Sequence, residues 1–224
     1  RCRAPIAWYD NIPLLSYALL GGRCRQCRRR IPIRYPIVEL ATGIFFALVV
    51  AYLGVTLAAL KFALLGAIFI ALTATDFERH ILPDEFTLGG LVAGLVFAFF
   101  IPNEPHFVSM LLSRYLGPRA LSLSEALFGA AVASGAIWLI GYLYGKFRGV
   151  DALGFGDVKM IAMVGAFLGL RGALETMILG SLAGSVIGVI YIRLARKDWR
   201  SFYIPFGSFL GIAGLAVVLS RIRE

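Results

Sequence analysis

The run LAALKFALLGAIFIALTATDFERHILPD, residues 57–84, decides how the rest of the chain is read. Residues 62–75 carry no charge, and with Leu57–Leu60 they reach the roughly 17–25 residues that cross a hydrocarbon layer as a helix. The run then ends on Asp76, where an ionised side chain is costly and therefore a functional candidate by default. The stretch reads as a membrane span with a carboxylate at one end.

Working outward, the same texture recurs. The chain has 224 residues, 59% hydrophobic and 16% charged, with a mean hydropathy of +0.82; a soluble chain has about 25% charged residues. Seven apolar stretches qualify as spans, at about 37–53, 57–75, 86–101, 124–145, 156–170, 173–194 and 203–220. The expected fold is an all-α polytopic membrane protein with about seven transmembrane helices. Residues 1–36, basic and containing the three cysteines, form a small cytoplasmic segment ahead of a membrane domain at 37–224. Pro102–Leu123 is the longest connection. Lys61 is expected to snorkel to the interface.

The net charge of +9 lies between spans rather than on one soluble face, so it points to membrane orientation and away from nucleic acid. With residues 1–36 inside, sixteen Lys and Arg lie on the cytoplasmic side and six opposite, a positive-inside bias. Gly180, Gly184 and Gly188, with Gly165 and Gly169, form small-xxx-small repeats suited to helix packing.

On this topology Asp76, ending one span, and Asp157, opening another in Gly154-Phe155-Gly156-Asp157-Val158-Lys159, share a membrane face. Two adjoining carboxylates share one proton, because like charges about 3 Å apart do not both ionise easily. One then activates a water and the other supports the developing oxyanion: the equipment for peptide hydrolysis without a metal. Helix dipoles taken alone place the anion on Asp157, at a helix start, and the neutral acid on Asp76, at a helix end. Gly154 and Gly156 leave room for a substrate strand to approach. Lys159 is a candidate contact to substrate or lipid phosphate, Glu39 is expected to pair with Arg34, and Glu175 is expected to be solvated at a span end.

These residues fall in motifs, and the chain resembles the type IV prepilin peptidases along essentially its whole length. Trp8-Tyr9-Asp10-Asn11-Ile12-Pro13-Leu14, Arg23-Cys24-Arg25-Gln26-Cys27, Arg34-Tyr35-Pro36-Ile37-Val38-Glu39, Asp76 followed by Pro83-Asp84, the Gly154–Lys159 run and Ile204-Pro205-Phe206-Gly207 match that family's motifs in order. The resemblance implies that Asp76 and Asp157 are the catalytic pair and that Asp84 is a secondary, positioning residue. It implies cleavage of the basic leader of prepilins and pseudopilins, as in type IV pilus and type II secretion systems, after a Gly on the cytoplasmic side of a bacterial inner membrane. It also implies N-methylation of the new amino terminus with S-adenosylmethionine in many members, although no strand–glycine–helix signature for a methyl donor is visible in the chain.

The family's cysteine pattern, C-x₂-C-x₂₁-C-x₂-C, suits four thiolates around zinc. Here Cys2, Cys24 and Cys27 supply three ligands, and the fourth is expected upstream in a longer product. Reduced thiols without metal are the plain alternative. An ion-coupled transporter using intramembrane acids is the competing functional class, but it calls for acids at mid-span and broken helices at the bilayer midplane.

Overall fold

The computed structural model describes residues 4–103, 107–149, 153–195 and 205–223. Cys2 and Ile204 therefore lie outside the described residues, as do the basic residues between Ala195 and Pro205. After a 3₁₀ turn at Trp8–Asn11 come α1 (Leu15–Leu19), α2 (Arg34–Leu53), α3 (Leu57–Arg79), α4 (Asp84–Phe100), α5 (Phe107–Leu112), α6 (Pro118–Arg148), α7 (Phe155–Ala195) and α8 (Phe206–Arg221). Among the described residues, four helices are long and apolar enough to cross a membrane: α2, α3, α6 and α7. The α8 helix is apolar but shorter.

The seven expected stretches fall on α2, α3, α4, α6, the two arms of α7 and α8; four helices count as long spans because α4 and α8 have 17 and 16 residues and α7 carries two of the stretches. At Gly169 the backbone turns to φ 69°, ψ −176°, so α7 is two helical arms joined at a kink rather than one rod. That region of the map is open to glycine and closed to side chains with a Cβ. The long connection is also structured: α5 lies inside it, and α6 starts at Pro118, with proline in the first turn where its missing N–H costs nothing.

The buried stripes follow helical spacing. On α3, Leu65, Phe69 and Leu72 are fully buried, and four residues on, Asp76 falls on the same inward face at 5% exposure. On α7, Asp157 at 7% exposure leads into Met160, Ile161, Val164 and Phe167, all fully buried. Each carboxylate is thus carried inward by the stripe that packs its helix. The outward faces stay apolar, with Ile37, Leu40, Ile44, Val92 and Val96 exposed, as a lipid-facing surface requires.

Helices in lipid associate by close packing rather than by leaving water, and the α6–α7 contact shows it. A methyl group at Gly165 would stand 2.5 Å from the backbone of Gly129, and one at Gly129 would stand 2.5 Å from the backbone of Leu170. The two backbones touch. Further along α7, Gly180 and Gly184 face Leu210 and Phe209 of α8. The α7 arms therefore pack on α4, α6 and α8, while α3 packs on α2 and α8. That arrangement brings the end of α3, the start of α7 and the start of α8 together.

Candidate active site

Asp76 lies in the last turn of α3, which closes at His80 in the left-handed conformation with its N–H on the Asp76 carbonyl. Asp157 lies in the first turn of α7, its N–H donating to the Gly154 carbonyl at 3.1 Å. Leu82 lies against both Gly156, the neighbour of Asp157, and Gly207, which stands beside Asp76 Oδ2, so the ends of the two helices that carry the acids come to one place. The structure thus joins two acids that stand 81 positions apart in the chain.

A third element completes the site. The N–H of Ser208 donates to Asp76 Oδ2 at 2.6 Å, and the Ser208 hydroxyl donates to the same oxygen at 2.8 Å. Ser208 stands in the first turn of α8, whose cap residue Pro205 contributes no side-chain hydrogen bond. The Asp76 carboxylate therefore caps α8 from a neighbouring helix, at the positive end of that helix's dipole. The dipole argument from sequence placed the anion on Asp157 because it saw only each acid's own helix. The structure adds the start of α8 to the surroundings of Asp76, with two donors on one of its oxygens.

Leu82 lies against the glycines that flank the two acids. A methyl at Gly156 would stand 3.1 Å from Leu82 Cβ, and one at Gly207 would stand 2.9 Å from Leu82 Cδ1 and 3.1 Å from Asp76 Oδ2. The room left by Gly156 is filled by this leucine of the α3–α4 connection, not left open as the sequence alone implied. Gly154, by contrast, faces among the described residues only Asp157 Oδ2, at 3.2 Å from the position its Cβ would take.

Asp84 and Lys159 meet across 75 positions, Nζ to Oδ1 at 2.6 Å, with the Asp84 side chain 57% exposed. The lysine also lies over the Phe155 ring, 5.1 Å from its centre. Lys159 is thus committed to a carboxylate on α4, Asp84, a pairing not anticipated from the sequence. Two other expectations also change. Arg34 pairs with Glu78 at 2.9 Å, while Glu39 accepts the N–H of Leu14 at 2.9 Å, where Leu14 has a positive φ of 59°. Glu175 is not simply solvated but pairs with Arg171 and with Arg221 of α8, at 2.8 and 3.2 Å.

Ahead of the membrane helices, Arg25 makes two 2.7 Å hydrogen bonds to Asp10, and these hold the Asp10 carboxyl below its usual range. Cys24 and Cys27 lie on a small hairpin closed by a bridge between Arg23 and Arg30, with Cys24 half-buried and Cys27 exposed. Among the described residues, no group of three or more His, Cys, Asp or Glu is placed to hold a metal. Cys2, the third expected ligand, lies outside the described residues, and the zinc expectation gains no support. Asp10, Asn11, Ser16, Tyr17, Tyr35 and Glu39 line a cavity of about 110 Å³, below the roughly 300–1,000 Å³ of a cofactor pocket. In this shape it does not accommodate S-adenosylmethionine.

Two family models match the chain. A family model described as the Bacterial Peptidase A24 N-terminal domain matches residues 1–53. A second, described as the Type IV leader peptidase family, matches residues 63–192. The Prepilin leader peptidase/N-methyltransferase of Pseudomonas aeruginosa is 36% identical over 219 residues, covering 98% of this chain and 69% of the relative. The protein of the same name from Aeromonas salmonicida is likewise 36% identical with the same coverage, and that of Xanthomonas campestris pv. campestris is 33% identical over 215 residues, covering 95% of this chain and 68% of the relative. No solved structure matches.

Proposed function

Because the chain belongs to the type IV leader peptidase family, we propose that it is a multi-pass membrane endopeptidase that removes prepilin and pseudopilin leaders, with Asp76 and Asp157 as its catalytic pair. The observation that carries this reading is the approach of two buried carboxylates from α3 and α7, one of them fastened to the start of α8. An ion-coupled transporter finds no footing here, because both acids lie in terminal turns of their helices.

In the proposed reaction a water sits between the pair. The ionised carboxylate takes its proton as the oxygen attacks the scissile carbonyl, and the protonated partner hydrogen-bonds the developing oxyanion. Collapse of that intermediate breaks the C–N bond, and the leaving amine takes the proton. Gly154 lets a backbone pass close to Asp157, and displacement of Leu82 admits it to the water. Asp84 and Lys159 brace the α4 and α7 ends against each other. The bond after Gly in a basic leader, on the cytoplasmic face of the inner membrane, is the substrate the family resemblance implies.

The relatives' names include an N-methyltransferase, and we extend that activity to this chain with S-adenosylmethionine as methyl donor. When bound it supplies an activated methyl group.

The test is cleavage of a prepilin by the protein in detergent, with Asp76→Asn and Asp157→Asn beside the wild type. Loss of cleavage in both supports the pair, and full cleavage by either removes it. The facing is tested separately with Glu85→Cys in right-side-out vesicles. A membrane-impermeant thiol reagent that labels it without lysis contradicts a cytoplasmic site.

A further inference from the structure

We propose that Ser208 is a positioning residue for the peptidase reaction, holding Asp76 by one oxygen so that the other faces the water. This rests on the catalytic-pair reading above. The family model for the peptidase region ends at residue 192, and the motif read near the carboxyl terminus stops at Gly207, so neither assigns Ser208 a role.

The geometry is specific. Ser208 is fully buried, and its two donors converge on Asp76 Oδ2. Its hydroxyl has one hydrogen and two acceptors in reach: Asp76 Oδ2 at 2.8 Å and the Thr73 carbonyl at 3.3 Å. The shorter contact, to a charged acceptor, takes the proton. Left alone, the terminal torsion of an aspartate is broad and roughly two-fold. Two donors on Oδ2 remove that freedom and leave Oδ1 to be presented toward the water and Asp157. Gly207, immediately before, permits this approach, since any side chain there meets both Leu82 and Asp76.

A serine that only caps α8 would affect folding and not turnover. The deciding experiment therefore measures kcat, KM and the thermal midpoint of the full chain in detergent, with a prepilin-derived peptide as substrate. Ser208→Ala keeps the backbone donor and loses the hydroxyl. We expect kcat to fall about tenfold, the scale of one hydrogen bond to a charged group, with KM within about twofold and the midpoint nearly unchanged. Ser208→Thr, which keeps the hydroxyl, restores most of kcat. Ser208→Cys, a weaker donor of similar size, falls between and keeps the test usable should the threonine disturb folding.

An unchanged kcat in Ser208→Ala overturns the inference, as does a loss that only tracks loss of folded protein. A series in which threonine and cysteine do no better than alanine also overturns it. Asp76→Asn run alongside separates the two levels. Full activity there sinks the catalytic pair itself, whereas an inactive Asp76→Asn beside a normal Ser208→Ala sinks only the role of Ser208.

Discussion

The α3 helix carries a buried ionisable residue near each end, and the two ends teach different things. At the start, Lys61 is 4% exposed and its Nζ donates to Asn103 Oδ1 at 2.8 Å. Ser122 Oγ accepts the Asn103 N–H, and Glu125, 2% exposed, accepts the Ser109 N–H. At the other end, some 22 Å away along the axis by helical rise, Asp76 faces a second acid and two donors from a third helix. The first end ties Lys61 of α3 to the connection at Asn103, that connection to α6, and α5 to α6. The second gathers two carboxyl groups, an arrangement that stabilises nothing by itself. Burial of charge marks both ends, and only the unfavourable pairing marks chemistry.

The sharpest attempt to break this comparison exchanges the two ends in a cleavage assay. Asp76→Asn or Asp157→Asn should lower kcat by about 10³-fold or more, the range for losing an acid or base. Lys61→Met should leave kcat within about twofold. It should cost about 1 kcal/mol of stability by stranding the Asn103 carbonyl, read as the detergent unfolding midpoint. Abolished cleavage in Lys61→Met with folding intact would erase the distinction between the ends.

A smaller effect sharpens the account of the second end. Gly207→Ala places a methyl 2.9 Å from Leu82 and 3.1 Å from Asp76 Oδ2, so kcat should fall about 10- to 100-fold as the carboxylate shifts by tenths of an ångström. Gly154→Ala, meeting only one oxygen at 3.2 Å, should cost less. Equal losses would mean that Leu82 is not part of the site.

Smaller again is the Asp84–Lys159 pair. With Asp84 half in solvent, such a pair is worth about 0–1 kcal/mol. Asp84→Asn and Lys159→Gln should each lower kcat no more than about fivefold, and the exchanged pair Asp84→Lys with Lys159→Asp should recover part of it. A complete loss in either single variant would place that residue among the reacting groups.

The smallest expected change is in the amino-terminal segment. Arg25 lowers the Asp10 carboxyl below its ordinary 3.8, so the contribution of this pair is present above that value and lost as pH falls beneath it. Fluorescence of Trp8 beside Tyr9 should hold steady from pH 8 to 5 and change only in acid below about 4. A transition near pH 6 would show that another group controls the segment.

Asp76, Asp157 and the sense of their helices are legible in the sequence, because an acid at the edge of an apolar stretch stands out whatever the stretch packs against. The kink at Gly169 is half legible: the two stretches on either side read as separate spans, while the bend that makes them arms of α7 is a backbone angle. Lys61 shows the limit. A lysine four residues into a span reads as snorkelling, and only the position of Asn103, 42 residues on, turns it inward.

The sequence by itself determined an all-helical membrane protein, the faces its carboxylates occupy, and the motif order by which its family is recognised. These follow from local quantities: hydropathy over a window, helical period, residue type. Tertiary structure alone decided who meets whom: Ser208 on Asp76, Leu82 over Gly156 and Gly207, Lys159 on Asp84, Glu175 between α7 and α8. The reason is physical. In lipid an apolar face packs as readily on hydrocarbon as on another helix, so hydropathy does not say which faces touch; only the close approach of backbones at glycine does.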